Sequence, residues 1–217
     1  MKRSLYALLV GCGLLVLAAP PPAAADWQCS SQDFFLVGTA PDLYLSNAEP
    51  IGPTPKFKDS PAIKRSGGNQ YKEIGTWDAG GPNQDCTLSA LSDLHIWVGL
   101  RNSDDQGTQF DILAEILKND QVVASGTAVC VKDVTRNPSK AKEVVIEFDL
   151  PLPATYNSAS DELSLRLSAA IGTGPGCTGH ANATGLRVYY DSGARDSRFD
   201  ATLDSGGGDC GSGCPPS

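Results

Sequence analysis

The sequence has little of what most enzymes and nucleic-acid-binding proteins need. It contains only two histidines, His95 and His180, and no cluster of basic residues. His95 is expected mid-strand beside Trp97, which favours a structural imidazole, and His180 lies in a glycine-rich loop. A net charge of −8 opposes binding to nucleic acid or to an anionic membrane surface. The sequence therefore predicts no nucleic-acid partner and, for want of a held base or nucleophile, no enzyme.

Long apolar runs are missing except at the start of the chain. Leu5 to Ala19 is apolar and follows two basic residues, but a membrane-spanning helix needs about 20 apolar residues. With the small residues that end at Ala25, this segment has the layout of a secretory signal peptide over residues 1–25. Leu9 to Cys12 also resembles the lipobox of bacterial lipoproteins, although the apolar run continues past it. We expect a secreted or cell-surface protein without a membrane span, with lipidation as the minor alternative.

Cysteine is present in a number that fits an exported protein. Six of the seven cysteines remain after the leader, and an even count outside the cytoplasm predicts three disulfides. The pairing is open, with Cys210 to Cys214 favoured because the short loop between them closes easily. A zinc site is disfavoured because such sites use two close cysteine pairs and the sequence has one. The six residues are Cys29, Cys86, Cys130, Cys177, Cys210 and Cys214.

Helical periodicity is absent after the leader, and segments that alternate between apolar and polar residues take its place. The chain is organised around residues 185–203, where Leu186 to Tyr190 alternates, Asp191 to Gly193 supplies a tight turn, and a second strand follows. Residues 94–100 and 163–168 alternate in the same way. Residues 110–117 fit a two-turn helix by composition, but the turn that follows them favours a hairpin of strands.

This pattern predicts an all-β fold, an antiparallel, jelly-roll-like β-sandwich of about eight or nine strands. We expect a signal peptide at residues 1–25 and a Pro/Gly-rich segment at 26–70 with one strand and a long, solvated loop. The sandwich is expected at residues 71–204 and a Gly/Ser/Cys-rich tail at 205–217.

Two of these segments carry a resemblance to a known kind of domain. Asp-Glu-Leu-Ser-Leu-Arg-Leu at 161–167, with Leu-Arg-Val-Tyr-Tyr-Asp-Ser and Ser-Arg-Phe between 186 and 199, resembles the end of jelly-roll β-sandwich domains in secreted bacterial surface proteins. Galactose-binding-like modules are among these, and the resemblance covers residues 77–203. It implies an extracellular, usually non-catalytic module that holds glycan, protein or neighbouring subunits, and it transfers no ligand residue to this chain.

The candidate binding residues follow from the alternation. Trp97 and Tyr189 lie opposite the apolar sets of their strands, so they are expected on outer faces, where with Arg187 they could stack against a sugar or a partner. The alternative is that the N-terminal segment covers this face and the rings pack beneath it.

The candidate metal ligands are aspartates near predicted turns. If the protein binds Ca²⁺, the expected ligands are Asp191, Asp196 and Asp200, since calcium prefers carboxylate oxygens. The alternative is that these aspartates only form turns, because no EF-hand spacing is present.

Together, these features predict a secreted, non-catalytic protein for extracellular binding or adhesion, with carbohydrate as the preferred ligand class and no cofactor, calcium being the alternative. The alternative is a structural subunit of an extracellular assembly, joined to a neighbouring copy through the N-terminal segment or an edge strand.

Overall fold

The computed structural model describes residues 27–65, 70–149, 151 and 153–205. It is all-β, with 55% strand and 3% helix, which confirms the predicted class. Within these ranges, no helix is long and apolar enough to cross a membrane. The predicted signal peptide, Cys12, Cys210, Cys214 and most of the predicted tail lie outside the described residues.

Fifteen strands and two 3-10 turns make up the described chain, more strands than the sequence predicts. The additional strands are short, and several have too few apolar residues to show alternation. The strands are β1 Gln32–Thr39, β2 Asp42–Ser46, β3 Lys56–Asp59, β4 Ile63–Lys64, β5 Lys72–Gly80, β6 Cys86–Leu91, β7 Leu94–Leu100, β8 Phe110–Lys118, β9 Gln121–Val131, β10 Lys142–Ile146, β11 Ala154–Tyr156, β12 Leu163–Ile171, β13 Asn182–Ala183, β14 Leu186–Tyr190 and β15 Arg198–Ser205.

Thirteen of these strands form one sheet, and this sheet is mixed. Its main path runs β3-β14-β7-β15-β1-β2-β5-β12-β8-β9, with β10 on β7, β6 on β15 and β11 on β6. The prediction of a purely antiparallel sheet is wrong because β2 and β5 pair in parallel, with Tyr44 opposite Asp78. The chain leaves β2, forms β3 and β4 elsewhere, and then re-enters beside β2 in the same direction.

The turn chemistry explains one hairpin and corrects another. Asn119 and Asp120 both have positive φ, as a two-residue hairpin turn requires, so β8 and β9 pair as predicted. The stretch at 185–203 does form two strands, but they do not pair with each other. Both lie beside β7 instead, with Tyr189 of β14 opposite Trp97 and Arg198 of β15 opposite His95.

The core lies between portions of the sheet that face each other. Trp77 on β5 is fully buried, and its ring contacts that of Tyr190 on β14, with centroids 5.5 Å apart. Because β5 and β14 are not neighbours in the sheet, the sheet must curve until these strands oppose each other across one apolar cluster.

Two disulfides are present in the described chain. Cys29 pairs with Cys86 and Cys130 pairs with Cys177, which confirms that these four cysteines are joined. The bonds are consistent with an extracellular location. The third predicted bond, between Cys210 and Cys214, stays a prediction.

Candidate functional site

Two of the three predicted binding residues, Trp97 and Tyr189, lie in one row on the outer face of the sheet. Strand register places Phe57 opposite Tyr189, Tyr189 opposite Trp97, and Trp97 opposite Glu143. Residues that oppose each other share a face, so this row crosses four strands. We call Phe57, Tyr189 and Trp97 the aromatic row.

The row is largely covered by its own neighbours. Tyr189 is only 2% exposed and lies edge-on to Phe57, which comes from the N-terminal segment. Arg187 stacks over Phe57 at 3.6 Å and makes two hydrogen bonds to Asp59, of 2.7 and 2.9 Å. These contacts match the alternative in which the N-terminal segment covers this face, and they leave Tyr189 and Arg187 poorly placed for stacking on a ligand.

Two members of the row reach solvent: Phe57 is 48% exposed, and Trp97 is half-buried. The guanidinium group of Arg195 lies over the Trp97 ring, 4.4 Å from the ring centroid. Arg195 is held from two sides, since it donates hydrogen bonds to the carbonyl of its neighbour Ala194 and to that of Ser139 in the 3-10 turn Pro138–Lys140. An exposed cation–π contact contributes about 0.5–1 kcal/mol, so a ligand ring could displace Arg195 at modest cost.

A group of titratable side chains lies beside Trp97 on the same face. We call it the imidazole–carboxyl cluster, and it brings together residues from strands β1, β7, β10 and β15. Its members are Asp33, His95, Glu143, Arg198 and Asp200. His95 and Trp97 are two residues apart in one strand, so their side chains emerge about 7 Å apart on one face.

The cluster borders a cleft of about 240 Å³. The lining residues are Ser92, Asp93, His95, Arg198, Phe199 and Asp200. Ser92 holds the backbone of Asp200 at the edge of the cleft, because its hydroxyl accepts a hydrogen bond of 2.8 Å from the backbone N–H of Asp200. The buried ring of Phe199 forms part of the lining, and the rest is mainly polar.

Within the cluster, a carboxylate fixes the tautomer of His95. Nδ1 of His95 lies 3.0 Å from Oε1 of Glu143, and a carboxylate can only accept, so Nδ1 carries the hydrogen. In the neutral ring, Nε2 is then a hydrogen-bond acceptor. His95 thus differs from the structural imidazole that the sequence favours, because its side chain is 44% exposed at a cleft.

The second pair in the cluster consists of two carboxyl groups. Asp33 and Asp200 are directly opposed on β1 and β15. The pKa of the Asp200 carboxyl is raised above its usual value, first by a hydrogen bond with Asp33, then by burial and by the charge of Asp33, while Arg198 and His95 act in the opposite direction. The cluster therefore places hydrogen-bond donors beside acceptors.

The raised pKa leads to a prediction about stability. A neutral Asp200 stabilises the fold fully below its ordinary pKa of 3.8, and this contribution is lost as the pH rises through the higher pKa of the folded state. Asp200→Asn is permanently neutral, so it should raise Tm by about 1–3 °C at pH 7, the size expected when one opposed like-charge pair is removed. Tm should not change at pH 3.5. Calorimetry at the two pH values checks this, and an equal shift at both would contradict it.

Asp161 supplies the matched control with the opposite sign. Its carboxylate accepts hydrogen bonds from the backbone N–H of Asn157 and from Lys118 and Asn119, and these hold its pKa at about 2. The ionised Asp161 carboxylate therefore stabilises the fold above its ordinary pKa of 3.8, and this stabilisation is lost as the pH falls towards 2. Asp161→Asn should therefore lower Tm at pH 7 and have progressively less effect as the pH falls below 4.

The three predicted calcium ligands have separate partners. Asp191 pairs with Lys56 at 2.6 Å, Asp196 pairs with Arg198, and Asp200 faces Asp33. In the described chain, the one group of three or more His, Cys, Asp or Glu with ligand atoms within 4.8 Å of one another is Asp111, Cys130 and Cys177. Calcium binding by Asp191, Asp196 and Asp200 stays a prediction.

Sequence reasoning did not find most of the cluster. No local pattern joins three of its members, because they lie on different strands: Asp33, Glu143 and Arg198. The same is true of Arg195, which lies in a turn and covers Trp97. The signal that could have found them is strand register, which the sequence does not state.

Comparisons with known proteins point to the fold alone. No protein-family model and no curated protein matches the chain. A solved aminopeptidase from a marine sediment Thaumarchaeota archaeon matches over 81% of this chain and 37% of its own, with 9% identity and a TM-score of 0.54. Two structures of a CocE/NonD family hydrolase from Staphylococcus aureus match over 81% and 86% of this chain, with 16% identity and a TM-score of 0.48.

These likenesses correct one prediction and leave another unsupported. The prediction that the chain is not an enzyme is contradicted, because a chain named as an aminopeptidase contains the same β-rich fold. At this identity the likeness identifies no catalytic residue, and the chain spans less than two fifths of the length of these proteins. The galactose-binding-like resemblance gains no support beyond the all-β class.

Proposed function

We propose that this is an extracellular carbohydrate-binding protein of β-sandwich type, and that the ligand lies across Trp97 and the adjoining cleft. The observation that carries the proposal is the placement of a partly exposed indole next to the imidazole–carboxyl cluster on one face. Sugars offer C–H faces that pack on aromatic rings and hydroxyl groups that both donate and accept hydrogen bonds. The indole matches the first of these properties and the cluster matches the second.

The cluster is suited to a neutral, polyhydroxylated ligand. His95 offers an acceptor at Nε2, Arg198 offers donors, and Asp200 offers a carboxyl oxygen at the cleft. Small-ligand sites usually combine an apolar wall with a few converging polar groups, and Phe199 and Trp97 supply apolar surface here. The net charge of −8 makes a polyanionic glycan the less favoured ligand.

The test is glycan-array binding of the processed protein, followed by calorimetric titration with the best ligand. Trp97→Ala should weaken binding about 10-fold or more. A nucleobase stacked on an aromatic side chain contributes about 1–3 kcal/mol, and a sugar ring of similar size should contribute at the lower end of this range. Tyr71→Ala is the matched control, because Tyr71 is an exposed aromatic outside the aromatic row and should leave binding unchanged.

Two outcomes would contradict the proposal. One is the absence of any glycan ligand for the folded protein, and the other is equal binding by the wild-type protein and Trp97→Ala. Chromatography of the ligand after incubation shows in the same experiment whether the bound glycan is also cleaved.

A second candidate is a structural subunit that joins copies of itself. It is favoured by β9, which ends the path of the large sheet and carries Val129 and Val122, 65% and 49% exposed. Asp149 bridges this edge at Ser125, and the two valines lie on either side of that bridge. Exposed apolar edge strands invite pairing with another chain. Sedimentation should then show self-association that depends on concentration and is lost in Val129→Lys, whereas glycan binding would survive this change.

A further inference from the structure

One group outside the aromatic row and the cluster combines two sulfurs with a buried carboxylate. Asp111 on β8, Cys130 on β9 and Cys177 in the loop after β12 bring one carboxylate oxygen and two Sγ atoms within 4.8 Å of one another. In the oxidised chain the two sulfurs form a disulfide. Nothing in the proposed carbohydrate site uses these residues.

The carboxylate holds both cysteine-bearing segments without the disulfide. Oδ1 of Asp111 accepts a hydrogen bond of 2.8 Å from the backbone N–H of Cys130. Oδ2 accepts bonds from the N–H and the hydroxyl of Thr173, at 2.9 and 3.0 Å, in the loop that leads to Cys177. Asp111 is 2% exposed, and buried bonds to a charged group are among the stronger ones. These segments should therefore stay close when the disulfide is broken.

The surroundings of the sulfurs also fit a metal ion. A Cβ atom on Gly174 would lie 3.1 Å from Sγ of Cys130 and 3.3 Å from Sγ of Cys177, and because residue 174 is glycine no side chain occupies this position beside the two sulfurs. Both cysteines are partly exposed, so a reductant and an ion can reach them. Tetrahedral zinc needs the two sulfurs about 3.8 Å apart, which asks for a small movement of the two side chains.

We propose that Asp111, Cys130 and Cys177 form a binding site for a borderline-soft divalent cation, with Zn²⁺ preferred, when the disulfide is reduced. Two thiolates and one carboxylate are ligands that zinc accepts, and water completes the fourth position. Metal binding and disulfide formation exclude each other, so the site reports the redox state of its surroundings.

The chemistry requires a two-electron reductant, such as a dithiol. The dithiol donates two electrons and two protons to the Cys130–Cys177 bond, which breaks to give two thiols while the reductant closes to its own disulfide. The cation then forms one bond to each sulfur, and the two thiol protons pass to solvent.

The test uses the full chain with Cys12, Cys210 and Cys214 replaced by alanine, so that only the four cysteines of the two disulfides remain. After reduction by a phosphine, which takes oxygen from water and becomes its oxide, Co²⁺ and Zn²⁺ are titrated in turn. We expect one Co²⁺ per chain with thiolate-to-cobalt absorption, and displacement of the Co²⁺ by Zn²⁺. Cys130→Ala/Cys177→Ala should abolish the absorption, and Cys29→Ala/Cys86→Ala should retain it.

Asp111 is tested separately from the sulfurs. Asp111→Asn keeps an acceptor for Cys130 but removes the anionic ligand, and it should weaken Zn²⁺ binding about 10-fold or more. Thr173→Val removes one hydrogen bond to Asp111 and no ligand, so affinity should change no more than a few-fold. If the reduced chain unfolds, stoichiometric Zn²⁺ should restore its folded circular dichroism spectrum.

Three results would overturn the proposal. They are equal metal binding without Cys130 and Cys177, a folded reduced chain that shows no thiolate absorption with Co²⁺, and an unfolded reduced chain that Zn²⁺ does not refold.

Discussion

Replacing Trp77 by alanine is expected to lower the free energy of unfolding by about 3–5 kcal/mol. The ring is fully buried and contacts Tyr190 from the opposing portion of the sheet, so its removal leaves a cavity inside the core. Urea denaturation monitored by circular dichroism measures the change. The result tests whether the sheet curves over one core.

Trp97→Ala is the matched control, since it removes the same side chain from the outer face. Trp97 is partly exposed and covered mainly by Arg195, so its loss should cost about 1 kcal/mol. A similar loss of unfolding free energy in both variants would contradict the placement of Trp77 in the core and Trp97 on the outer face. A small cost also keeps Trp97→Ala folded, as the glycan-binding test requires.

Removing the Cys29–Cys86 disulfide is expected to cost about 2–5 kcal/mol. The bond joins positions 57 residues apart and ties the segment before β1 to the start of β6. Trp27 lies in that segment, and its indole N–H donates to the carbonyl of Gly80 at 2.9 Å. Thermal unfolding of Cys29→Ala/Cys86→Ala in oxidising buffer measures the loss.

The other disulfide provides the comparison. Cys130 and Cys177 are 47 residues apart, so loop closure alone predicts a similar cost. Asp111 also holds both segments, however, and we expect Cys130→Ala/Cys177→Ala to be the less destabilised of the two double variants. The reverse order would contradict the bridging role of Asp111.

The sequence predicts the fold where the evidence is local. In β7 and β12 apolar residues alternate in sequence, and these strands form where predicted. The short β3, Lys56–Asp59, carries no such pattern and is held by its pairing with β14 and by the Arg187–Asp59 ion pair, so it was expected to be loop. Strand number and sheet direction depend on such distant pairings, which explains why both predictions were wrong.

The same distinction applies to the candidate site. Alternation correctly places Trp97 opposite the apolar set of its strand. It does not reveal that Arg195 covers Trp97, that β3 covers Tyr189, or that Asp33 and Asp200 oppose each other. Each of these facts depends on register between strands far apart in the chain. The cluster therefore became visible only when the sheet was assembled.

The most direct test of the proposed function is to follow the protein by nuclear magnetic resonance during titration with a glycan ligand. The account predicts that the indole N–H signal of Trp97 and the ring C–H signals of His95 shift together and saturate at one ligand per chain. The ring signals of Tyr71, outside the aromatic row, should not move. Saturable shifts that leave Trp97 and His95 unchanged would contradict the account and place the ligand elsewhere on the protein.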